Sequence, residues 1–257
     1  MINQNNKLRF DGTKAMREAR SITTECDRKS DYGIVDAELA LKVTSFDRVF
    51  KGVVAGGDIK RTVEIALEKR KGEAIGVEFG GMGINLFKGF SDGFFKQTIG
   101  VSLSDYRTDD GKLKNSNGQR NYKDGRQHNI IIGNLFDTEI YKKIDRVIDN
   151  KKVDFIIERM YAGLDNVPSN FLVLITILQK WYKMLNEGGL LLVETPDFAV
   201  SVVREWVKIL QSEEFLDVAF DEFRRALRIH KLEKAPAKLP VLKMDEVKNI
   251  LNNNGEI

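Results

Sequence analysis

The chain has 257 residues, a hydrophobic fraction of 42% and a formal net charge of +3. That is enough apolar matter for one sizeable core with an appendage, and too balanced a charge to argue for a polyanionic partner. The longest strongly apolar run, residues 171–178, is too short to span a bilayer as a helix. A polar N-terminus without a signal-peptide core and a lone cysteine, Cys26, fit a cytoplasmic protein without an internal disulfide.

Residues 36–50 place Leu39, Val43, Phe46 and Phe50 on one helical stripe. A second helix follows, with Asp58 as its N-cap and Gly72 as its stop. From residue 73 strands and helices alternate. "EAIGVEF" (73–79), "QTIGVSL" (97–103), "HNIIIGNLF" (128–136), "VDFIIER" (153–159) and "LLLVETP" (190–196) read as strands. Helices are expected at 138–149, 169–189 and 197–212, the second ending at the paired Gly188 and Gly189. This alternation predicts a doubly wound α/β domain with a mostly parallel sheet covered on both faces. "FLDVAF" (215–220) and "ALRIHKL" (226–232) are separated by only five residues, which suits an antiparallel hairpin. Pro236 and Pro240 precede a short amphipathic helix near 244–252. Three regions result: an N-terminal helical extension (1–59), the α/β domain (60–234) and a C-terminal tail (235–257).

The stretch "AIGVEFGGMGINLF" (74–87) turns from strand to helix through three glycines. A dinucleotide fingerprint needs Gly-x-Gly-x-x-Gly, and from Gly81 the register runs Gly81, Gly83, Leu86. A phosphate loop would end in Gly-Lys-Ser/Thr, which is absent. Glu78, just before the glycines, would repel a pyrophosphate and suits a cation instead, such as an ammonium or sulfonium group.

"VEFGGMG", "IGVSLSD", "IIGNLFD", "VDFIIER" and "LNEGGLLLVETP" occur in the order and rough spacing of class I S-adenosylmethionine-dependent methyltransferases, which the chain resembles over residues 60–232. The resemblance implies a Rossmann-like, seven-stranded sheet ending in an antiparallel strand, with S-adenosylmethionine as cofactor. It places Glu78, Gly80, Gly81 and Gly83 under the methionine moiety, although Met82 stands where the family more often has glycine. At the end of the second strand, where the family has a ribose-gripping acid, stands Ser102, with Asp105 three residues later. Asn134 matches the position beside the adenine amino group, and the backbone N–H of Leu135 would meet the ring. Glu158 ends the fourth strand, which in the family faces the transferred methyl, and is the candidate catalytic residue.

The resemblance leaves the methyl acceptor unidentified. "DFIIERMYAG" lacks the Asn-Pro-Pro-aromatic signature of amino-group nucleic-acid methyltransferases, and Glu194 stands where ribose-methylating members have lysine. Residues 106–127 hold six Lys/Arg, three Asp and two Tyr, a composition that builds no packed element but could touch a nucleic acid. The two histidines and Cys26 show no zinc spacing, so no metal is expected. Two alternatives stand beside methyl transfer. One is a methyltransferase-like binding subunit without activity, suggested by Met82, Ser102 and Asn134. The other is a nicotinamide-dependent oxidoreductase, disfavoured by the incomplete fingerprint and the final hairpin.

Overall fold

The computed structural model describes residues 42–102, 119–121, 127–158 and 171–253. Helices α1 (Val43–Phe50) and α2 (Ile59–Ala66) precede strand β1 (Ala74–Phe79). Then come α3 (Ile84–Lys88), β2 (Phe95–Ser102), β3 (Gln119–Asn121), β4 (Gln127–Ile132), α4 (Thr138–Val147) and β5 (Val153–Glu158). The chain finishes with α5 (Phe171–Met184), β6 (Leu185–Glu194), α6 (Val200–Gln211), β7 (Leu216–Asp221), β8 (Ala226–Lys231) and α7 (Met244–Asn253).

The strands form one eight-stranded sheet in the order β3-β4-β2-β1-β5-β6-β8-β7. β4, β2, β1, β5 and β6 run parallel, while β8 is antiparallel to β6 and pairs with β7 as the expected hairpin. Chain order reverses between β1 and β5, because β2 and β4 lie to one side of β1 and β5 and β6 to the other. This is the expected doubly wound α/β architecture, with a mostly parallel sheet ending in an antiparallel hairpin.

The expected seven-stranded sheet is present as β4-β2-β1-β5-β6-β8-β7, and two other expectations need correction. Residues 119–121 of the basic insertion, expected to build no packed element, pair antiparallel with β4 as an eighth, edge strand. That segment therefore contributes an element after all; the rest of 106–126 lies outside the described residues. The long apolar helix also stops at Met184 rather than Gly189. Leu185 already pairs with Val153, and the register then jumps so that Phe155 meets Leu190. Gly188, at a φ of +77°, takes up this irregularity in backbone geometry that favours glycine.

Each face of the sheet has its own core. On one, α1, α2 and α3 cover an aromatic cluster of Phe87, Phe90, Phe94, Phe95 and Phe155. Several of these rings meet edge to face, as their quadrupoles prefer. This gives the phenylalanine-rich segment around residue 90 its purpose, and it makes α1 part of the same core as the sheet. On the other face α4, α5, α6 and α7 bury Tyr141, Trp181, Trp206 and Val247. Asp58 caps α2 as expected, its side chain accepting from Arg61 N at 2.8 Å.

At the amino ends of the strands the buried carboxylate of Asp154 joins three segments. It accepts from Ile75 N at 2.8 Å, Asn186 Nδ2 at 2.8 Å and Arg70 Nε at 3.0 Å. A buried carboxylate needs such partners, and these tie β1, β5 and β6 together at the end opposite the glycine turn. Among the described residues no helix is long and apolar enough to cross a membrane.

Candidate functional site

In open α/β sheets ligands gather at the carboxyl ends of the strands, where the chain order reverses. Here that point lies between β1 and β5, and each strand carries a buried acid within its last two residues, Glu78 and Glu158. The register sets Phe79 beside Glu158 and Glu78 beside Ile157, so the two carboxylates leave opposite faces of the sheet. Glu78 lies on the face of the aromatic cluster. Glu158 lies on the face of α5, where its Oε2 accepts from Glu194 N at 3.3 Å.

β6 ends in a third buried acid, Glu194, whose Oε1 is paired with Arg225 Nη2 at 2.5 Å. Arg225 sits in the turn between β7 and β8, and its other terminal nitrogen lies 3.1 Å from Asp197. Its carbonyl accepts from Thr195 N at 2.7 Å and from Thr195 Oγ1 at 3.1 Å. The charge of Glu194 thus fixes the final hairpin against β6. Among the described residues no group of three or more His, Cys, Asp or Glu is arranged to hold a metal ion.

The glycine turn folds back over β2. Gly80 N donates to Val101 O at 2.9 Å, and Gly81 then makes an antiparallel bridge to the same residue. Gly80 and Gly83 have φ of +84° and +71°, backbone geometry that side chains rarely adopt. Met82 is buried, and its backbone crosses directly above Gly100, where any Cβ would overlap it. The close approach at this turn is therefore first of all to the protein's own second strand.

His128 holds the turn in place. This fully buried side chain, on β4, spans from Thr98 Oγ1 at 2.8 Å to the Met82 carbonyl oxygen at 2.7 Å. A carbonyl only accepts, so Nε2 carries a proton, and in the neutral ring Nδ1 accepts from the Thr98 hydroxyl. Its Cε1 also lies 3.1 Å from where a Cβ on Gly83 would fall. Sequence reasoning passed over His128. The one signal was a histidine entering an apolar strand, where a buried ring needs two partners.

The remaining expected site residues fall on neighbouring strand ends. Ser102 is buried at the end of β2, and its carbonyl accepts from Gly133 N at 2.8 Å. Asn134 follows β4, and its Oδ1 accepts from Phe136 N at 2.9 Å, as in an Asx turn. Leu135 is buried, and its carbonyl accepts from Tyr141 Oη at 2.9 Å. Burial pushes the Tyr141 hydroxyl far above the ordinary tyrosine range, so it remains a proton donor at any physiological pH. Asp105 lies outside the described residues. The fold thus brings Glu78, Gly80, Gly81, Gly83, Ser102, Asn134 and Leu135 to one edge of three adjacent strands, with Glu158 on the next.

No family model and no curated protein matches the sequence. The solved structures similar to it include methyltransferases. The MycE methyltransferase of the mycinamycin biosynthetic pathway, crystallised with Mg and SAH, is 13% identical, with 79% of this chain and 53% of that one covered and a TM-score of 0.43. The sugar N-methyltransferase KedS8 from Streptoalloteichus is 15% identical over 52% of this chain and 45% of that one, with a TM-score of 0.34. The chain spans about half the length of each of these two proteins, 53% and 45%. An rRNA methylase from Streptococcus thermophilus is 16% identical over 67% of this chain and 95% of that one, at a TM-score of 0.41.

Proposed function

We propose that the protein transfers a methyl group from S-adenosylmethionine to an acceptor not yet identified. The observation that carries this reading is the strand order, with its reversal between β1 and β5 and its terminal antiparallel hairpin. At that reversal stands a glycine turn flanked by buried acids rather than by cations. Carboxylate chemistry there suits a ligand bearing a sulfonium and an ammonium group and opposes a pyrophosphate.

On this reading Glu78 meets the positive end of the cofactor, and the turn of Gly80, Gly81 and Gly83 forms the floor beside it. Ser102 and Asp105 serve the ribose. Asn134 and the backbone N–H of Leu135 serve the adenine, with Tyr141 fixing the loop that carries them. When bound, the cofactor would supply an already activated methyl carbon with a neutral thioether as its leaving group. The protein's task is alignment and exclusion of water. Glu158, at the end of β5, would take the proton that the acceptor loses.

One observation favours a second reading, a methyltransferase-like binding subunit. Gly81, Met82 and Gly83 are buried on β2 and His128, and the Asn134 side-chain oxygen is engaged by Phe136. A thermal-shift comparison of the wild type and Glu78→Gln with S-adenosylhomocysteine tests cofactor binding. A ligand that binds only the folded state raises the melting temperature by mass action. The wild type should shift upward and Glu78→Gln clearly less; a wild type that does not shift at millimolar ligand overturns methyl transfer and leaves the binding subunit.

A further inference from the structure

Away from the strand ends, α5 and the segment after residue 236 enclose a groove of about 640 Å³. This volume is in the range of small-molecule sites, about 300–1,000 Å³. Ile175 on the helix and Leu239, Val241 and Leu242 on the facing segment supply apolar walls. Val241 is 54% exposed at the rim of the groove.

The groove is held open. Gln179 grips Leu239 through both ends of its amide, donating Nε2 to the carbonyl and accepting from the N–H at 3.1 Å. Tyr182 Oη donates to Pro236 O at 2.8 Å, and Trp206 Nε1 donates to Pro240 O at 2.6 Å. These bonds run from helix side chains to the backbone of the facing segment, so the two walls keep a fixed separation. A site formed in advance spends less of its binding energy on ordering.

The charged lining is of one sign. Lys180, Lys183 and Lys238 border the groove, and among its described lining residues there is no Asp or Glu. Lys180 is the half-buried one, with its Nζ 3.6 Å from the centre of the Tyr141 ring. Burial lowers its pKa against the opposing pull of Asp145 and Asp137, which marks an ammonium short of solvation. An incoming anion would supply what water does not.

We propose that this groove binds an anionic amphiphile, a molecule with a hydrocarbon or aromatic body and one carboxylate, its body against Ile175, Leu239 and Val241 and its carboxylate at Lys180. The site is separate from the carboxyl ends of the strands, since none of its lining residues lies on a strand, and its one link to them is Lys180 over the Tyr141 ring.

Decanoate and the neutral decanol serve as probes, each titrated against the full chain by calorimetry and by displacement of a fluorescent anilinonaphthalene sulfonate. Decanoate should bind and displace the dye, with decanol at least about tenfold weaker, because a charge-assisted hydrogen bond is lost. Lys180→Gln should remove most of that preference and leave decanol affinity unchanged. Thr176→Phe, which fills the groove from the helix side, should weaken both probes, and its circular dichroism and melting curve establish that it folds. If Thr176→Phe does not fold, Val241→Asp, placed on the exposed side, should weaken both probes instead. Equal affinity for decanoate and decanol, or a preference that survives in Lys180→Gln, overturns the assignment of the anion site. Absence of decanoate binding at millimolar concentration, or capture only of an acidic amphipathic peptide, overturns the small-molecule assignment.

Discussion

The contact between His128 and the Met82 carbonyl joins the glycine turn to the sheet, and His128→Ala removes it. The histidine is fully buried, and so is Thr98 on its other side. Truncation leaves the Met82 carbonyl and the Thr98 hydroxyl buried without this partner, each costing about 1–3 kcal/mol. The space left by the ring adds a cavity penalty. Together these give a destabilisation of about 4 kcal/mol, at the high end for a single substitution. For a chain of this size that corresponds to a fall in melting temperature of about 8–16 °C. The assay is thermal and urea unfolding of the wild type, His128→Ala, Thr98→Val and the double variant. Thr98→Val alone should cost about 1 kcal/mol, and the two substitutions should be less than additive because they share one hydrogen bond. A fall of less than about 2 °C for His128→Ala would refute the claim that this side chain holds the turn.

Three further outcomes follow from the same geometry. Gly100→Ala should destabilise strongly, by about 3 kcal/mol or more, because the new methyl overlaps the Met82 backbone, which has no flexible end to move; unfolding curves that superimpose on wild type would contradict the crossing of the turn over β2. Glu158→Gln keeps an acceptor for Glu194 N, so it should preserve the fold and the affinity for S-adenosylhomocysteine while lowering turnover on any acceptor once one is known; unchanged turnover or an unfolded variant would remove the catalytic role. His230 has its pKa lowered from 6.5, by burial first and against the opposing pull of Asp217. The unfolded state therefore binds the proton more readily, so this contribution to stability is complete above about pH 6.5 and is lost as pH falls through the window below it. His230→Gln should flatten the stability profile below about pH 6.5; an identical profile in both proteins would refute this.

Much of the fold was legible because it depends on patterns local to the chain. The strands of the parallel core are apolar runs, the Asp58 cap sits where a polar residue precedes an amphipathic stretch, and the five-residue link announced the hairpin. β3 was not legible. Its assignment rests on backbone pairing with β4, and a polar three-residue edge strand carries no hydrophobic alternation. The end of α5 was misread because "LNEGG" has the look of a helix stop, whereas Leu185 is recruited into β6 by Val153, a partner distant in the sequence.

The site shows the same division. The glycines, Glu78 and Glu158 stood out as residue types at the ends of strands. His128 did not, because its role depends on Met82 and Thr98, which only the folded sheet brings to it. Nor did Arg225, which meets Glu194 only when the hairpin folds back along β6. The acceptor is the least legible feature, since methyl transfer asks mainly for alignment and imposes no fixed set of reactive side chains.

Isothermal titration calorimetry of the full chain with S-adenosylmethionine, S-adenosylhomocysteine and NAD under one set of conditions tests the central claim most directly. The proposed function predicts saturable one-to-one binding of the first two, weakened in Glu78→Gln, and no heat of binding with NAD. Binding of NAD alone, or of none of the three by a folded protein, would contradict it.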